Sequence, residues 1–220
     1  MLARRLLAEG LGTATLLAGV VGSGIMGVRL SAGNDAIALL ANAGATAGLL
    51  YVLIVALGPI SGAHFNPAVS LAMRLRGELD TRTLLGYVVV QIAGAVAGVL
   101  LAHAMFELPL IQPGTHARTG AAQWLSEAVA TCGLLLTIML GVRHRAAAVP
   151  ALVASYIFAA YWFTASTSFA NPAVTLARAL TQTFAGIRPE DVGGFVIAQL
   201  AGVAAALAIA RVLDEPSANP

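Results

Sequence analysis

A chain of 220 residues that is 59% hydrophobic and only 10% charged, with a mean hydropathy of +0.86, is far from a soluble domain, in which about a quarter of residues are charged. Its twelve basic residues are all Arg and lie scattered between apolar runs, which excludes the basic stripe of a nucleic-acid binder. The single cysteine, Cys132, sits in an apolar run, so an intramolecular disulfide and a Cys-based zinc site are excluded as well.

The chain opens with MLARRLLAEGLGTATLLAGVV, where two arginines precede an apolar run in the manner of a signal peptide. The run continues to about Val28, contains Glu9 and lacks a convincing cleavage site, so it is expected to be the first membrane span. Further apolar runs follow at about 41–60, 84–106, 121–142, 147–163 and 192–213. Each is near the roughly 20 residues that a helix needs to cross about 30 Å of hydrocarbon, which makes six spans with the first at about 6–28. Pro150 falls in the first turn of the fifth span, where a missing N–H does no harm. Arg4, Arg5, Arg74, Arg76, Arg82, Arg143, Arg145 and Arg211 fall on one side of these spans, and Arg29, Arg118, Arg178 and Arg188 on the other. By the positive-inside rule the protein is a multi-pass protein of the cell (inner) membrane with both termini cytoplasmic.

Two near-identical segments lie just after spans two and five: AHFNPAVSLAMRL at 63–75 and SFANPAVTLARAL at 168–180. They divide the chain into 1–112 and 113–220, each with three spans and an Asn-Pro-Ala between the second and third. Three spans is an odd number, so the second copy runs through the membrane inverted relative to the first. The rare polar residues echo this division, Glu9 with Glu127 and Gln91 with Gln199. Asn is a favoured N-cap and Pro a favoured first helical residue, so Asn66-Pro67-Ala68 and Asn171-Pro172-Ala173 each start a helix. The two helices, 66–76 and 171–181, are long enough for about half the membrane. Entering from opposite faces, they meet N-terminus to N-terminus and complete a seventh, broken span. Irregular backbone at that depth is tolerated only where it is buried in protein or lines a water-filled path, which points to a pore. The stretches SGAHF and STSFA before each Asn are expected to be extended with carbonyls facing the path, and the Asn66 and Asn171 amides to donate to what passes. The helix N-termini disfavour cations and protons at the centre.

SGAHFNPAV at 61–69, the second Asn-Pro-Ala at 171–173 and Glu9 in AEGLGT, set in six spans, resemble the aquaporin, or major intrinsic protein, family along essentially the whole chain. The resemblance implies an all-α integral membrane protein with six transmembrane helices plus two re-entrant half-helices as an inverted repeat, working as a passive channel in each protomer of a homotetramer. It further implies that Glu9 and Glu127, with Gln91, brace the re-entrant loops, and that Gly62, Ala63, His64, Phe65, Thr167 and Phe169 line the path, His64 in its cytoplasmic half. In orthodox water channels an Arg follows the second Asn-Pro-Ala; here that position is Val174. The family's ungapped spacing puts the remaining filter positions at Thr46, Ala159 and Ser168. Small side chains at all four imply a wide, arginine-free filter that passes water with small uncharged solutes such as glycerol, urea or metalloid hydroxides. Arg178 lies one turn beyond Val174, and its expected place is the outer surface, snorkelling to the interface; if it faces the mouth instead, anionic or organic metalloid species become candidates.

Other motifs carry less. GSGIMG at 22–27 matches a dinucleotide pattern but ends a span instead of following a strand. GATAG at 44–48 and GAVAG at 94–98 fit close helix packing. His64, His103, His116 and His144 are dispersed, so no metal or cofactor is expected, and no nucleophile, base and orienting group converge to suggest an enzyme. A coupled secondary transporter also uses inverted repeats, but the lack of clustered membrane carboxylates favours the channel.

Overall fold

The computed structural model describes residues 2–214, and these contain helices and connecting segments with no strand. The helices are α1 (Leu2–Leu30), α2 (Asp35–Ser61), α3 (Pro67–Leu75), α4 (Thr81–Met105), α5 (Ala121–Arg145), α6 (Val149–Phe163), α7 (Pro172–Arg178) and α8 (Val192–Asp214). Helices α1, α2, α4, α5, α6 and α8 occupy the six expected spans. Among the described residues five helical stretches are long and apolar enough to cross a membrane, one of them Ala121–Phe163. That stretch is broken at Arg145, whose φ of −152° and ψ of 61° leave the helical region. The chain then folds back, and α6 packs along α5 with the Tyr156 hydroxyl donating to the Ala130 carbonyl at 3.1 Å. Pro150 sits in the first turn of α6, as expected.

Local chemistry sets the helix boundaries. Asn34 caps α2 by accepting from the Ala36 and Ile37 amides at 3.0 and 3.2 Å. Gly62, at a φ of 93°, ends α2 in a left-handed cap that returns its N–H to the Gly58 carbonyl. Asp80 caps α4; hydrogen bonds from the Thr83 hydroxyl and amide hold its carboxyl below the usual carboxylate range.

Helix α1 packs on α2 and α4, and α5 packs on α6 and α8, while α2 against α6 joins the two groups. The tightest seams have no side chain between them. A Cβ on Gly98 would lie 2.2 Å from the Ala14 carbonyl oxygen, and one on Gly202 would lie 2.5 Å from that of Ala128. The packing role expected of GAVAG therefore holds. The glycines of GATAG form no such seam with another helix of the same chain: Gly44 and Gly48 are exposed, and a Cβ on Gly48 would meet nothing within 4 Å. They lie on the outward face of α2, because the inward face of that helix is carried by Asn42, Ala43, Thr46 and Ala47.

Candidate functional site

Helices α3 and α7 start where the sequence predicts, with N-termini facing one another. Asn66 and Asn171 are their N-caps, extended at φ of −156° and −158°. Their side-chain oxygens accept from the Ala68 amide at 2.8 Å and from the Ala173 and Val174 amides at 3.0 and 3.3 Å. The amide nitrogens do something the sequence reading missed. Asn66 Nδ2 donates to the Ala170 carbonyl at 2.7 Å, and Asn171 Nδ2 donates to the Phe65 carbonyl at 2.8 Å. Each cap is thus tied to the last carbonyl before the other cap, so one of the two N–H groups of each amide locks the half-helices together instead of serving the path. Both half-helices are shorter than expected. Helix α3 stops at Leu75, with Arg76 as its C-cap, and α7 stops at Arg178. Beyond α7 the Ala179 and Leu180 carbonyls accept from the Gly114 and Gln112 amides at 2.9 and 3.0 Å, contacts that no local pattern announces.

The loops before the two Asn residues are not extended. Ala63, Phe65, Thr167, Ser168 and Ala170 all have φ between 48° and 59°. Left-handed residues make successive amides converge, and a carboxylate fills each concavity. Glu9 Oε1 accepts from the Ser61 hydroxyl at 2.6 Å and the His64 amide at 2.9 Å, while Oε2 accepts from the Phe65 amide at 2.6 Å and Gln91 Nε2 at 2.9 Å. Glu127 repeats the arrangement: Oε1 accepts from the Phe169 amide at 2.9 Å, and Oε2 from the Ala170 amide at 2.9 Å and Gln199 Nε2 at 2.6 Å. Gln91 and Gln199 reach on to the Ser70 and Thr175 hydroxyls, at 3.1 and 2.8 Å, and so tie each carboxylate to its half-helix. Both glutamates are fully buried. Hydrogen bonds to charged groups contribute about 1.5–3 kcal/mol each, enough in sum to hold a left-handed loop that costs about 1–3 kcal/mol per strained residue.

A cavity of about 280 Å³ passes the meeting point of the half-helices. Its walls follow helical periodicity: Thr46, Leu50 and Ile54 from α2, Val149, Val153, Ile157 and Tyr161 from α6, and Leu134, Ile138 and Val142 from α5. Each half-helix contributes its cap and the third and seventh residues beyond it, Asn66, Val69 and Met73 from one and Asn171, Val174 and Arg178 from the other. Leu16 and Val20 from α1, together with Gly62, Ala63, His64, Phe65, Glu78, Ser168 and Phe169, complete the lining. A second space of about 310 Å³, bordered by Arg5, Pro59 and Leu79, shares Gly62, His64, Met73 and Glu78 with the first. His64 stands at that junction, its Nδ1 3.0 Å from the Ser70 hydroxyl and its ring edge-on to Tyr87.

Three of the four expected filter residues, Thr46, Ser168 and Val174, line this cavity. Ala159 does not, because it is exposed on the other face of α6, midway between Ile157 and Tyr161. The ungapped spacing from Asn171 put it there, and the α6 residues that do line the cavity recur every four residues at Val149, Val153, Ile157 and Tyr161. Tyr161 takes its place, with its hydroxyl 3.3 Å from that of Thr46. Thr167, half-buried in the turn after Thr164, is not among the lining residues.

The end of the cavity at the second half-helix also departs from an arginine-free filter. Arg178 is 2% exposed and lines the cavity instead of snorkelling outward. Its Nε donates to the Ala185 carbonyl, and its Cζ stands 3.4 Å above the centre of the Phe169 ring. Arg118, from the segment between α4 and α5, lies 5.0 Å from the same ring and donates to the Gly186 and Ser166 carbonyls at 2.9 and 3.2 Å. The edge of Phe195 closes a further side of Phe169. Arg118 sits in irregular chain, and no sequence pattern marked it.

Comparison with known proteins places related chains beside this one. The family model described as major intrinsic protein matches residues 1–150. Aquaglyceroporin AqpS of Rhizobium meliloti (strain 1021) is 59% identical over 216 residues, covering 98% of this chain and 92% of its own. Aquaporin PIP2-7 of Arabidopsis thaliana is 33% identical over 118 residues, covering 54% of this chain and 42% of its own. The X-ray structure of the aquaglyceroporin from Plasmodium falciparum superposes with a TM-score of 0.76 at 18% identity, covering 98% of this chain and 96% of that one, a likeness of fold.

Proposed function

The chain belongs to the major intrinsic protein family, and from that premise we propose that its pore passes glycerol, urea and metalloid hydroxides together with water. Members of this family are channels rather than enzymes, and this chain is a membrane channel for water and small solutes. The reading of the larger solutes rests on one observation: Thr46, Ser168 and Val174 put small side chains where the cavity passes the second half-helix, in a wall otherwise mostly apolar. Such a wall gives a polyol or an undissociated hydroxide a few hydrogen-bond partners without demanding the full desolvation of a charge. The name of the relative at 59% identity, an aquaglyceroporin, supports the same class. Arg178 on the cavity wall favours a second reading, in which anionic or organic metalloid species also enter the outer mouth.

The remaining assignments belong to the same proposal. Residues 1–112 and 113–220 form inverted repeats, supported by the matched bonds of Glu9 with Gln91 and Glu127 with Gln199. The channel assembles as a homotetramer in the cell membrane, a reading supported by its membership of the family. Both termini are cytoplasmic, supported by the arginine-rich ends of the helices on that side.

Stopped-flow light scattering of proteoliposomes tests the solute class. Shrinkage in an impermeant sugar reports water flux, and re-swelling in glycerol, urea or arsenous acid reports solute flux. Fast shrinkage with re-swelling in at least one solute is expected; fast shrinkage with none overturns the solute reading and leaves a water channel.

A further inference from the structure

We propose that Arg178, seated on Phe169 and doubled by Arg118, is the cation barrier of this pore, displaced one helical turn outward from Val174. The proposal rests on the channel reading above and assigns its charge selectivity. Val174 carries no charge, so the position directly after the second Asn-Pro-Ala cannot repel a cation. The next residue of α7 on the cavity face is Arg178, because a half-helix that presents Asn171 and Val174 inward presents the residue four further on as well.

Three features show a charge that is held in place. Arg178 is 2% exposed, and among the described residues its partners are a backbone carbonyl and an aromatic face, with no carboxylate in ion-pairing distance. A buried guanidinium with no carboxylate in contact is costly, so its positive charge is held beside the path without an ion-pair partner. The carboxylate that braces the adjoining loop, Glu127 of α5, is hydrogen-bonded to the Phe169 and Ala170 amides and to Gln199, not to the guanidinium. Phe169 is itself clamped, with Arg178 3.4 Å above its centre, Arg118 at 5.0 Å and Phe195 edge-on at 5.1 Å. The ring sets the position of the guanidinium, and cation–π attraction offsets part of its desolvation. Arg118 adds a second positive charge from a different segment, anchored to the Gly186 and Ser166 carbonyls. A charge set in a low-dielectric wall, as that of Arg178 is, acts strongly on a cation in the path and weakly on a neutral polyol, while Arg118 stands over the lining residue Phe169 without lining the cavity itself.

The test uses proteoliposomes loaded with a pH-sensitive fluorophore under a potassium–valinomycin potential, with water flux measured on the same vesicles. Wild-type protein is expected to pass water well above empty liposomes and to leak protons no faster than they do. Arg178→Met is expected to raise the proton leak per unit of water flux by at least roughly tenfold, a conservative figure for losing a unit charge from the wall of the path. Arg178→Lys, which keeps the charge, is expected to restore tightness; a brace whose role was only to hold the 185–187 segment would not be rescued in this readout while water flux stayed level. Wild-type vesicles that leak protons in step with water overturn the proposal without any variant. So does Arg178→Met that conducts water and stays proton-tight. Wild-type vesicles that move neither water nor solute instead overturn the channel reading beneath it.

Discussion

Gly98 and Gly48 show how differently one residue type can matter in this chain. At Gly98 the α1 backbone comes so near that a Cβ would sit 2.2 Å from the Ala14 oxygen and 2.8 Å from the Leu17 Cβ, and neither can yield without moving a helix. Gly98→Ala is therefore expected to lose about 1–3 kcal/mol to overpacking, while Gly48→Ala, with nothing within 4 Å, should stay within about 0.5 kcal/mol or gain slightly in helix propensity. Thermal unfolding of the two variants in detergent separates them, and equal loss would show that the α1–α4 seam is looser than described. The rare polar residues were the most legible part of the site. Glu9, Glu127, Gln91 and the two Asn caps stand out in apolar runs because a buried polar group must have a partner. Their partners were not legible, since Phe65 and Ala170 contribute backbone atoms, which carry no residue signature.

At the scale of elements the half-helices carry the argument. Asn-Pro-Ala predicted where α3 and α7 begin, because capping is local chemistry. Their ends were set by tertiary contacts, as the Gln112 and Gly114 amides on the Leu180 and Ala179 carbonyls just beyond α7 show. Seven residues span only about 10 Å, too short to be stable alone, so α7 depends on its cap and on the opposite loop. Asn171→Ala removes the cap, worth about 0.5–2 kcal/mol, and the bond to the Phe65 carbonyl, worth about 1 kcal/mol. It is expected to lower both the unfolding temperature and the water flux. Because Asn66 and Asn171 tie the same two loops crosswise, the double Ala variant should lose less than the sum of the two singles, with a coupling of about 0.5–3 kcal/mol. Strict additivity in that cycle would show that the two caps act independently.

The whole molecule decides which helix faces converge on the path. Ala159 and Thr46 were both expected at the filter, yet Thr46 lies 3.3 Å from the Tyr161 hydroxyl inside the cavity while Ala159 faces outward. Thr46→Trp is accordingly expected to abolish glycerol re-swelling and Ala159→Trp to leave it unchanged, provided both variants reach the membrane in equal amounts. Block by Ala159→Trp alone would restore the ungapped spacing and remove Tyr161 from the wall.

What the sequence determined by itself was whatever follows from periodicity, hydropathy and local capping: six spans, two half-helices begun by Asn-Pro, a matched pair of buried glutamates, and a pore where the half-helices meet. Those signals survive because each depends on neighbours a few residues apart or on transfer from water to lipid. The tertiary structure alone decided the reciprocal Asn-to-carbonyl bonds, the left-handed loops around Glu9 and Glu127, the rotation of α6 that replaces Ala159 with Tyr161, and the burial of Arg178 on Phe169. Each of these depends on the distance and phase between segments far apart in the chain. A two-residue change in loop length turns a helix face through more than half a circle without altering the hydrophobic pattern from which the helix was read.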